Sequence, residues 1–356
     1  MTQNPLAARA VHTVLLQPAG IEMEVEEGET VLDAAFRQGI SLMHGCKEGQ
    51  CSSCKCVLVE GDVELLKYST FALSEMDRDT NHILLCRTLA YSDIEVELLN
   101  YDEDLLSRSI AVKDFAARLT GVIPLTHDIF QLEMEIEQPL KFWAGQYVDI
   151  TVPGKGITRS FSMANPPSEP NRLQFIIKKY GQGAFSSLLD GGLKAGDSLM
   201  LRGPFGTCLR RENRSGPLVL VGGGSGMSPL WSILQDQIGC GEPARPIRFF
   251  YGARQARDLF YLDRFAELSE RLPDFRFIPA LSDAAPEDGW TGETGFIHEV
   301  VRRHLGTLGD ASDIDVYSCG PPPMIDALLP VLQVGGVEPD RIYFDKFTPA
   351  DRKSTR

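Results

Sequence analysis

Apolar and polar residues alternate over 11–16 and again over 21–25, with Pro18, Ala19 and Gly20 between them, which predicts a hairpin. Glu29–Gly39 reads as a short helix capped by Thr30, with Val31, Ala34, Ala35 and Gln38 on one side. A loop rich in cysteine follows, then a strand over 55–60, Cys86, and an alternating strand Ile94–Leu98. The acidic stretch YDEDLLSRS (101–109) reads as a linker. From about 112 to 212 short alternating runs (RLTGVIPL, IFQLEMEI, QYVDITV, LQFIIKK, SLMLRG) are separated by turn residues, as in a small antiparallel barrel. Beyond about 216 fully apolar strands (PLVLVGG, IRFFYGA, FRFIPAL, DVYSCG) alternate with amphipathic helical stretches, the mark of a parallel α/β sheet. The expected fold is therefore multidomain, α+β and α/β, with segments 1–105, 112–212 and 213–356.

Composition narrows the classes of function. The chain has 356 residues, 43 % hydrophobic and 24 % charged, ordinary values for a globular protein. No apolar run approaches the roughly 20 residues of a membrane helix. The first 20 residues lack the pattern of a signal peptide, so a cytoplasmic location without membrane attachment is expected. The net charge of −14 argues against nucleic-acid binding. Residues 1–105 hold 19 of the 49 acidic and 7 of the 35 basic side chains, a net of −12, against −2 for the remainder. That excess is either a solvated face or a docking surface for a basic partner.

Eight cysteines are too sparse for a disulfide scaffold in a chain of this length. Cys46, Cys51 and Cys54 are spaced C-x4-C-x2-C, and Cys86 follows 32 positions after Cys54. This is the plant-type [2Fe–2S] spacing, and thiolates are the soft ligands iron prefers. Gly45 and Gly49 allow the loop to turn its N–H groups toward sulfur. The alternatives are a structural zinc or plain buried thiols. Zinc sites usually add a second CxxC or a His pair, and neither is present. Cys56 lies on the following strand and reads as a packed thiol rather than a ligand. Residues 44–56, HGCKEGQCSSCKC, together with Cys86 resemble the β-grasp-like ferredoxin domain fused to the N-terminus of oxygenase reductases.

The middle segment carries Gly145-Gln146-Tyr147, then Arg159-Ser160-Phe161-Ser162, then Ile177-Lys178 with Gly181, Gly183 and Ser186. It resembles the flavin domain of the ferredoxin–NADP reductase superfamily. The resemblance implies that Arg159, Ser160, Phe161, Ser162, Ile177, Lys178, Gly183 and Ser186 form the flavin site. Arg159 would pair with the flavin pyrophosphate, Phe161 would lie against the isoalloxazine, and Ser162 would hydrogen-bond near N5. Gly183 to Ser186 would open a helix facing phosphate. Phe161 stands where the superfamily more often has Tyr, so a hydroxyl is lost there.

In the last segment PLVLV runs into Gly222-Gly223-Gly224-Ser225-Gly226-Met227-Ser228-Pro229. A glycine-rich strand-to-helix turn lets backbone approach a pyrophosphate at a helix N-terminus, although a tight turn in any α/β domain looks similar. The run GxGxxP over 224–229 departs from the dehydrogenase fingerprint and resembles the reductase superfamily, which implies nucleotide contacts from Gly222, Gly224, Gly226 and Pro229. Cys319-Gly320-Pro321-Pro322-Pro323-Met324 resembles the superfamily's C-G-P-P-x-M motif. Cys319, Gly320 and Pro321 are then expected beside the nicotinamide, with Cys319 and Ser162 nearest the hydride transfer and neither a nucleophile. Tyr343, Phe344 and Phe347 are expected in the core rather than at a cofactor, although the resemblance allows an aromatic here to approach the flavin. Arg254, Arg257 and Asp258 after the second strand leave the choice between NADH and NADPH open, and the resemblance favours NADH.

The order ferredoxin, flavin, nucleotide implies FAD rather than FMN. Together these features resemble an NADH-dependent reductase passing electrons through FAD to a [2Fe–2S] cluster and on to a partner. RSFSMANPP and the C-terminal FDKFTPA resemble reductases of soluble diiron monooxygenases acting on propane, methane or phenol, the propane type above the others. The implied partner is the hydroxylase component of such a monooxygenase. The alternatives are a reductase for a Rieske ring-hydroxylating dioxygenase and, more remotely, a non-catalytic redox sensor.

Overall fold

A computed structural model describes residues 10–181, 183–240, 245–286 and 289–347. The chain divides into two compact units, Met1–Lys113 and Asp114–Arg356.

The first unit is a five-stranded sheet with a helix across it. The strands are β1 (Val11–Gln17), β2 (Ile21–Glu26), β3 (Lys55–Glu60), β5 (His82–Leu84) and β7 (Ile94–Leu98), in the order β2-β1-β7-β3-β5. β1 and β7 are parallel and the other pairs antiparallel, which is the β-grasp arrangement. β4 (Val63–Leu65) and β6 (Thr88–Ala90) make a separate small ladder. Helix α1 (Val31–Arg37) starts where expected, because Thr30 accepts a hydrogen bond from Asp33 N. Its buried side is Val31, Leu32, Ala34, Ala35 and Phe36. Gln38 does not belong to that side. It is the C-cap, and its side-chain amide donates to Glu24 O at 2.6 Å and Ala34 O at 3.0 Å. A second short helix, α2 (Glu75–Asp79), is closed by a capping box between Ser74 and Asp77.

The acidic stretch 101–109 is not an extended linker. Asp102 caps helix α3 (Glu103–Ser107), and Leu105 is buried. Ser41 N donates to Ser109 Oγ at 2.9 Å and Val112 N to Phe36 O at 3.2 Å, so the stretch belongs to the first unit. Acidic composition alone masked one buried leucine and a good cap.

The second unit holds two sheets. β8 (Lys113–Pro124), β9 (Ile129–Glu135), β10 (Tyr147–Val152), β11 (Ile157–Ser162), β12 (Arg172–Lys178) and β13 (Ser198–Phe205) form an antiparallel sheet in the order β11-β10-β13-β8-β9-β12. A single bridge, Met163 to Phe175, joins its two ends and curls it into a barrel. Leu119, Leu132, Val148, Ile150, Leu173, Phe175 and their neighbours fill the interior.

The other sheet is parallel. Its strands are β14 (Leu218–Gly223), β15 (Ile247–Ala253), β16 (Phe275–Leu281), β17 (Glu293–Thr294), β18 (Asp315–Gly320) and β19 (Ile342–Lys346), in the order β17-β16-β15-β14-β18-β19. Helices α4 (Met227–Gly239), α5 (Leu262–Arg271), α6 (Ile297–Leu305) and α7 (Pro322–Val334) connect them. Two apolar clusters lie on opposite faces of this sheet, one around Leu218, Leu220 and Phe249, the other around Val219, Val221 and Phe250. The edge strand β19 leaves Phe344 43 % exposed, so it is not core, whereas Tyr343 and Phe347 pack against a buried cluster. Thr348, Pro349 and Ala350 of the C-terminal motif lie outside the described residues. Among the described residues no helix is long and apolar enough to cross a membrane.

Candidate functional site: iron–sulfur, flavin and nucleotide centres

The four cysteines predicted as ligands come together in two pairs. Cys54 Sγ lies 3.3 Å from Cys86 Sγ, and Cys46 is hydrogen-bonded to Cys51. Backbone N–H groups aim at these sulfurs: Cys46 N to Cys51 Sγ at 3.2 Å, and Gln50 N and Glu48 N to Cys46 Sγ at 3.1 and 3.4 Å. Gly49 N–H reaches Cys86. The hydrogen bond between the two thiols lowers Cys51 to about 5 and, with burial, raises Cys46. The loop must be narrow at Gly49, where φ is +69° and a Cβ would fall 2.9 Å from Tyr68 Cβ and Arg87 Cγ.

The donor set fits a dinuclear cluster better than a single ion. Two thiol pairs with backbone N–H groups aimed at their sulfurs are the donor set that two irons bridged by sulfide would use. Cys56 is fully buried on β3 opposite Ile83 and Leu98, and burial alone raises its thiol, as expected of a core residue.

On the barrel, β11 pairs with β10 so that Ile150 faces Arg159, Asp149 faces Ser160 and Val148 faces Phe161. Strand alternation puts Arg159 and Phe161 on one face and Ser160 on the other. Ser160 Oγ donates to Asp149 Oδ1 at 2.5 Å, so its hydroxyl is directed away from Arg159. Phe161 packs on Phe185, ring centroids 4.7 Å apart. Ser162, at the strand end, is 7 % exposed. Ile177 turns into the barrel core. Lys178 is brought to the nucleotide side instead: its stem is 3.7 Å from where a Cβ on Gly224 would sit, and Nζ is 2.7 Å from Asp128 Oδ2. Burial works against ionising Asp128, but the Lys178 hydrogen bond and charge prevail and its pKa is lowered.

The segment after β12 is not an α-helix. Ser186–Leu189 form one 3-10 turn, and Ser186 Oγ accepts from Tyr180 N at 3.0 Å, within hydrogen-bond reach of its own loop rather than of a helix start. Gly183 closes this loop by accepting from Ser187 N at 3.0 Å.

The parallel sheet changes direction between β14 and β18. From β14 the chain winds outward through β15, β16 and β17, then returns to lay β18 on the opposite side of β14. Crevices outside the carboxyl ends of two such strands are where α/β sheets bind ligands. Both glycine-bearing motifs lie there, with Gly222 paired to Cys319. Gly226 is pressed so closely on the neighbouring strand exit that a Cβ would fall 1.9 Å from Cys319 O. Gly224 takes φ +58°, and its carbonyl accepts from Tyr251 Oη at 2.9 Å. Pro229 sits in the first turn of α4, and Pro321 is the N-cap of α7 ahead of Pro322 at its first position. Cys319 is fully buried, and burial raises its thiol well above the usual range, which suits a packing role and not a nucleophile. In the turn after β15, Asp258 accepts from Gln255 N at 3.0 Å, while Arg254 and Arg257 are exposed.

Sequence reasoning missed Ser228. Its hydroxyl donates to Ser162 O at 2.7 Å and accepts from Ile176 N at 3.1 Å, joining the nucleotide loop to both strands at the barrel opening. Ser232 and Gln235 on α4 extend the seam to Asn165 O and Ala164 O at 2.7 and 2.9 Å. A serine beside Pro229 at a helix start carries no local signal of partners 52 and 66 residues away.

Comparisons with known proteins agree with this geometry. Residues 14–91 match the 2Fe-2S iron-sulfur cluster binding domain, 116–209 the oxidoreductase FAD-binding domain, and 220–329 the oxidoreductase NAD-binding domain. The chain is 45 % identical to the reductase component of propane 2-monooxygenase from Rhodococcus jostii (strain RHA1), over 97 % of this chain and 93 % of that protein. It is 36 % identical to the reductase component of phenol 2-monooxygenase from Pseudomonas sp. (strain CF600), over 96 % of each. Among solved structures, the Amycolatopsis cytochrome P450 reductase superimposes with a TM-score of 0.85 at 31 % identity, covering 95 % of this chain and 99 % of that one. The ferredoxin reductase in carbazole 1,9a-dioxygenase gives 0.76 at 29 %, covering 96 % and 100 %. The chain is an NADH-dependent oxidoreductase with FAD and a [2Fe–2S] cluster, and it belongs to the family of ferredoxin-fused flavoprotein reductases that serve multicomponent monooxygenases.

Proposed function

We propose that this protein is the reductase component of a diiron monooxygenase of the propane-oxidising type, delivering electrons to its hydroxylase. The observation that supports this reading above the others is similarity along the whole chain, 45 % over 97 % of its length, to a propane 2-monooxygenase reductase component. When bound, FAD takes a pair of electrons from NADH as hydride and releases them singly, and the cluster carries one at a time. The residues of this chain bind and orient. Arg159 offers a planar donor fork to the flavin pyrophosphate, and Phe161, backed by Phe185, offers an apolar wall to the ring. Gly222, Gly224 and Gly226 open the backbone to the pyrophosphate of NADH, with Lys178 beside them as a cation held by Asp128. Ser162 and Cys319 stand at the rim where the barrel and the switch point meet, joined through Ser228 and the glycine loop. Cys46, Cys51, Cys54 and Cys86 would hold the cluster through their thiolates.

The test is an anaerobic titration with NADH, and with NADPH in parallel, followed by absorbance and electron paramagnetic resonance. It is followed by reconstitution with the purified hydroxylase of a propane 2-monooxygenase or with a Rieske oxygenase. Flavin and cluster both reduced by NADH, and turnover with the hydroxylase alone, is the expected result. Turnover only with the Rieske oxygenase overturns the choice of partner. A flavin that reduces while the cluster signal never appears overturns the assignment of the four cysteines.

A further inference from the structure

The strand that carries Cys319 is held from the barrel side by a segment that no sequence motif marks. Beyond β13, residues 208–211 lie against the barrel wall. Arg210 N donates to Ala144 O at 3.0 Å, and only a glycine fits at 145, where a Cβ would fall 2.1 Å from Cys208 O. On its other side the same segment grips the nucleotide sheet. Arg210 Nε meets Asp236 Oδ2 on α4 at 2.6 Å, Arg211 N donates to Tyr317 Oη at 2.7 Å, and Cys208 Sγ lies 4.0 Å from Cys319 Sγ. Tyr317 and Cys319 are two apart on β18 and so share a face. The strap therefore touches β18 at two successive inward positions, the second at its exit. Both thiols are buried, Cys208 at 5 % exposure and Cys319 at 0 %.

We propose that Cys208 is a positioning residue for the nicotinamide reaction, acting through Cys319 to fix where the strand exit Cys319–Gly320–Pro321 stands against the glycine loop. The inference rests on the reading that places Cys319 beside the nicotinamide. Its physical basis is packing. The two soft sulfurs fill the space between barrel and strand exit, and a void left there is closed only in part by its surroundings. The Cys319 backbone has no slack on its other side, because its carbonyl already abuts Gly226. Any movement of Cys319 into the void is thus transmitted to the loop that holds the dinucleotide. Reaction geometry is sensitive to shifts of this size, and about 1 Å can cost on the order of a hundredfold in rate.

The experiment compares the full-length protein with Cys208→Ala, Cys208→Ser, Cys319→Ala and the Cys208→Ala/Cys319→Ala pair. It reads flavin reduction by NADH in an anaerobic stopped flow, and backbone amide exchange over 317–324 in the protein without NADH. Cys208→Ala is expected to slow the limiting rate about tenfold, with half-saturation by NADH within about twofold and FAD content unchanged. Cys208→Ser, nearly isosteric, is expected to recover most of the rate. The double variant should be no slower than Cys319→Ala, since the two residues act in series. Amide exchange at the strand exit should rise in Cys208→Ala, which a defect confined to NADH contacts would not produce. Parental rate and exchange in both Cys208 variants, alongside a slow Cys319→Ala, overturn the proposal while leaving the placement of Cys319 intact. A Cys319→Ala variant that reduces flavin at the parental rate overturns that placement and the proposal with it. If Cys208→Ala does not fold, Cys208→Ser decides: the inference predicts a small loss of rate reversed by no change in NADH concentration, and a loss that saturating NADH abolishes counts against it.

Discussion

Ser228 donates its hydroxyl proton to Ser162 O at 2.7 Å, so one side chain of the nucleotide loop fixes the end of the strand that carries Arg159 and Phe161. The same oxygen accepts from Ile176 N. Ser228→Ala removes both bonds and leaves a buried carbonyl and a buried amide without partners. A loss of about 1–3 kcal/mol is expected. Denaturant melts of the FAD-loaded protein measure it, and flavin reduction by NADH should slow at the same time because the seam lies between the two cofactor-binding halves. A variant as stable and as fast as the parent would mean that water replaces the hydroxyl without cost.

Gly226→Ala tests the contact between the two nucleotide motifs. A methyl group there would stand 1.9 Å from Cys319 O, and backbone on backbone has nowhere to yield. Reduction by NADH should fall by about a hundredfold or more, while dithionite still reduces flavin and cluster. Loss of FAD from the variant would instead show that the loop supports the barrel.

The far end of the parallel sheet is secured by charge. Arg245 Nη2 lies 2.5 Å from Asp315 Oδ2, Arg341 Nη1 lies 3.2 Å from Oδ1, and Asp315 is fully buried. Removing Asp315 leaves the buried Arg245 guanidinium with only the Gly216 and Pro217 carbonyls, whereas Arg341 keeps its ion pair with Asp313. Asp315→Ala is expected to cost about 3–5 kcal/mol, read as a lowered melting temperature with cluster absorbance unchanged.

Asp128 gives a pH signature. Its pKa is lowered in the folded protein, against the effect of burial, by the hydrogen bond and charge of Lys178. A depressed carboxylate stabilises the fold above its unfolded pKa of about 3.9, and that contribution is lost as pH falls through the folded value. Asp128→Asn should therefore be less stable than the parent at pH 7, with the gap closing progressively below about pH 4. Thermal melts across that range check it, and a gap independent of pH would assign the loss to packing.

Much of this molecule was legible in the sequence because the chemistry is written locally. Cys46, Cys51 and Cys54 fall within nine residues, and the run from Gly222 to Pro229 within eight. Thr30 capped its helix as expected, because a cap reaches only three residues along the chain. What escaped was contact between distant segments. Cys208 and Cys319 are 111 residues apart, and Arg211 and Tyr317 are 106. No motif links the members of either pair: Cys208 and Tyr317 look like any core residue, and the motif that begins at Cys319 says nothing of its partner. The tetrapeptide at 159–162 could not show the partner of Ser160: a strand presents alternate residues to two faces, and the Ser160 hydroxyl donates to Asp149. Gly183 and Ser186 looked like a helix start, yet the turn stops after Leu189. Leu105 made the acidic stretch part of a folded unit where charge alone suggested a tether.

The cysteine arrangement has a consequence for how the protein is made. Cys54 and Cys86 are 32 residues apart, and the loop holding the other two ligands contains no strand or helix of its own between α1 and β3. The Cys54–Cys86 pair is already drawn together by the ladder of β3 on β5. Inserting iron and sulfide therefore ties Cys46 and Cys51 to that pair and removes chain entropy that the strandless loop 38–54 otherwise retains. Maturation of the cluster and the ordering of that loop are then coupled. A cell that fails to load this protein should find it clipped by proteases between residues 44 and 53, while the flavin barrel and nucleotide sheet, which borrow nothing from the metal, survive as a flavoprotein core.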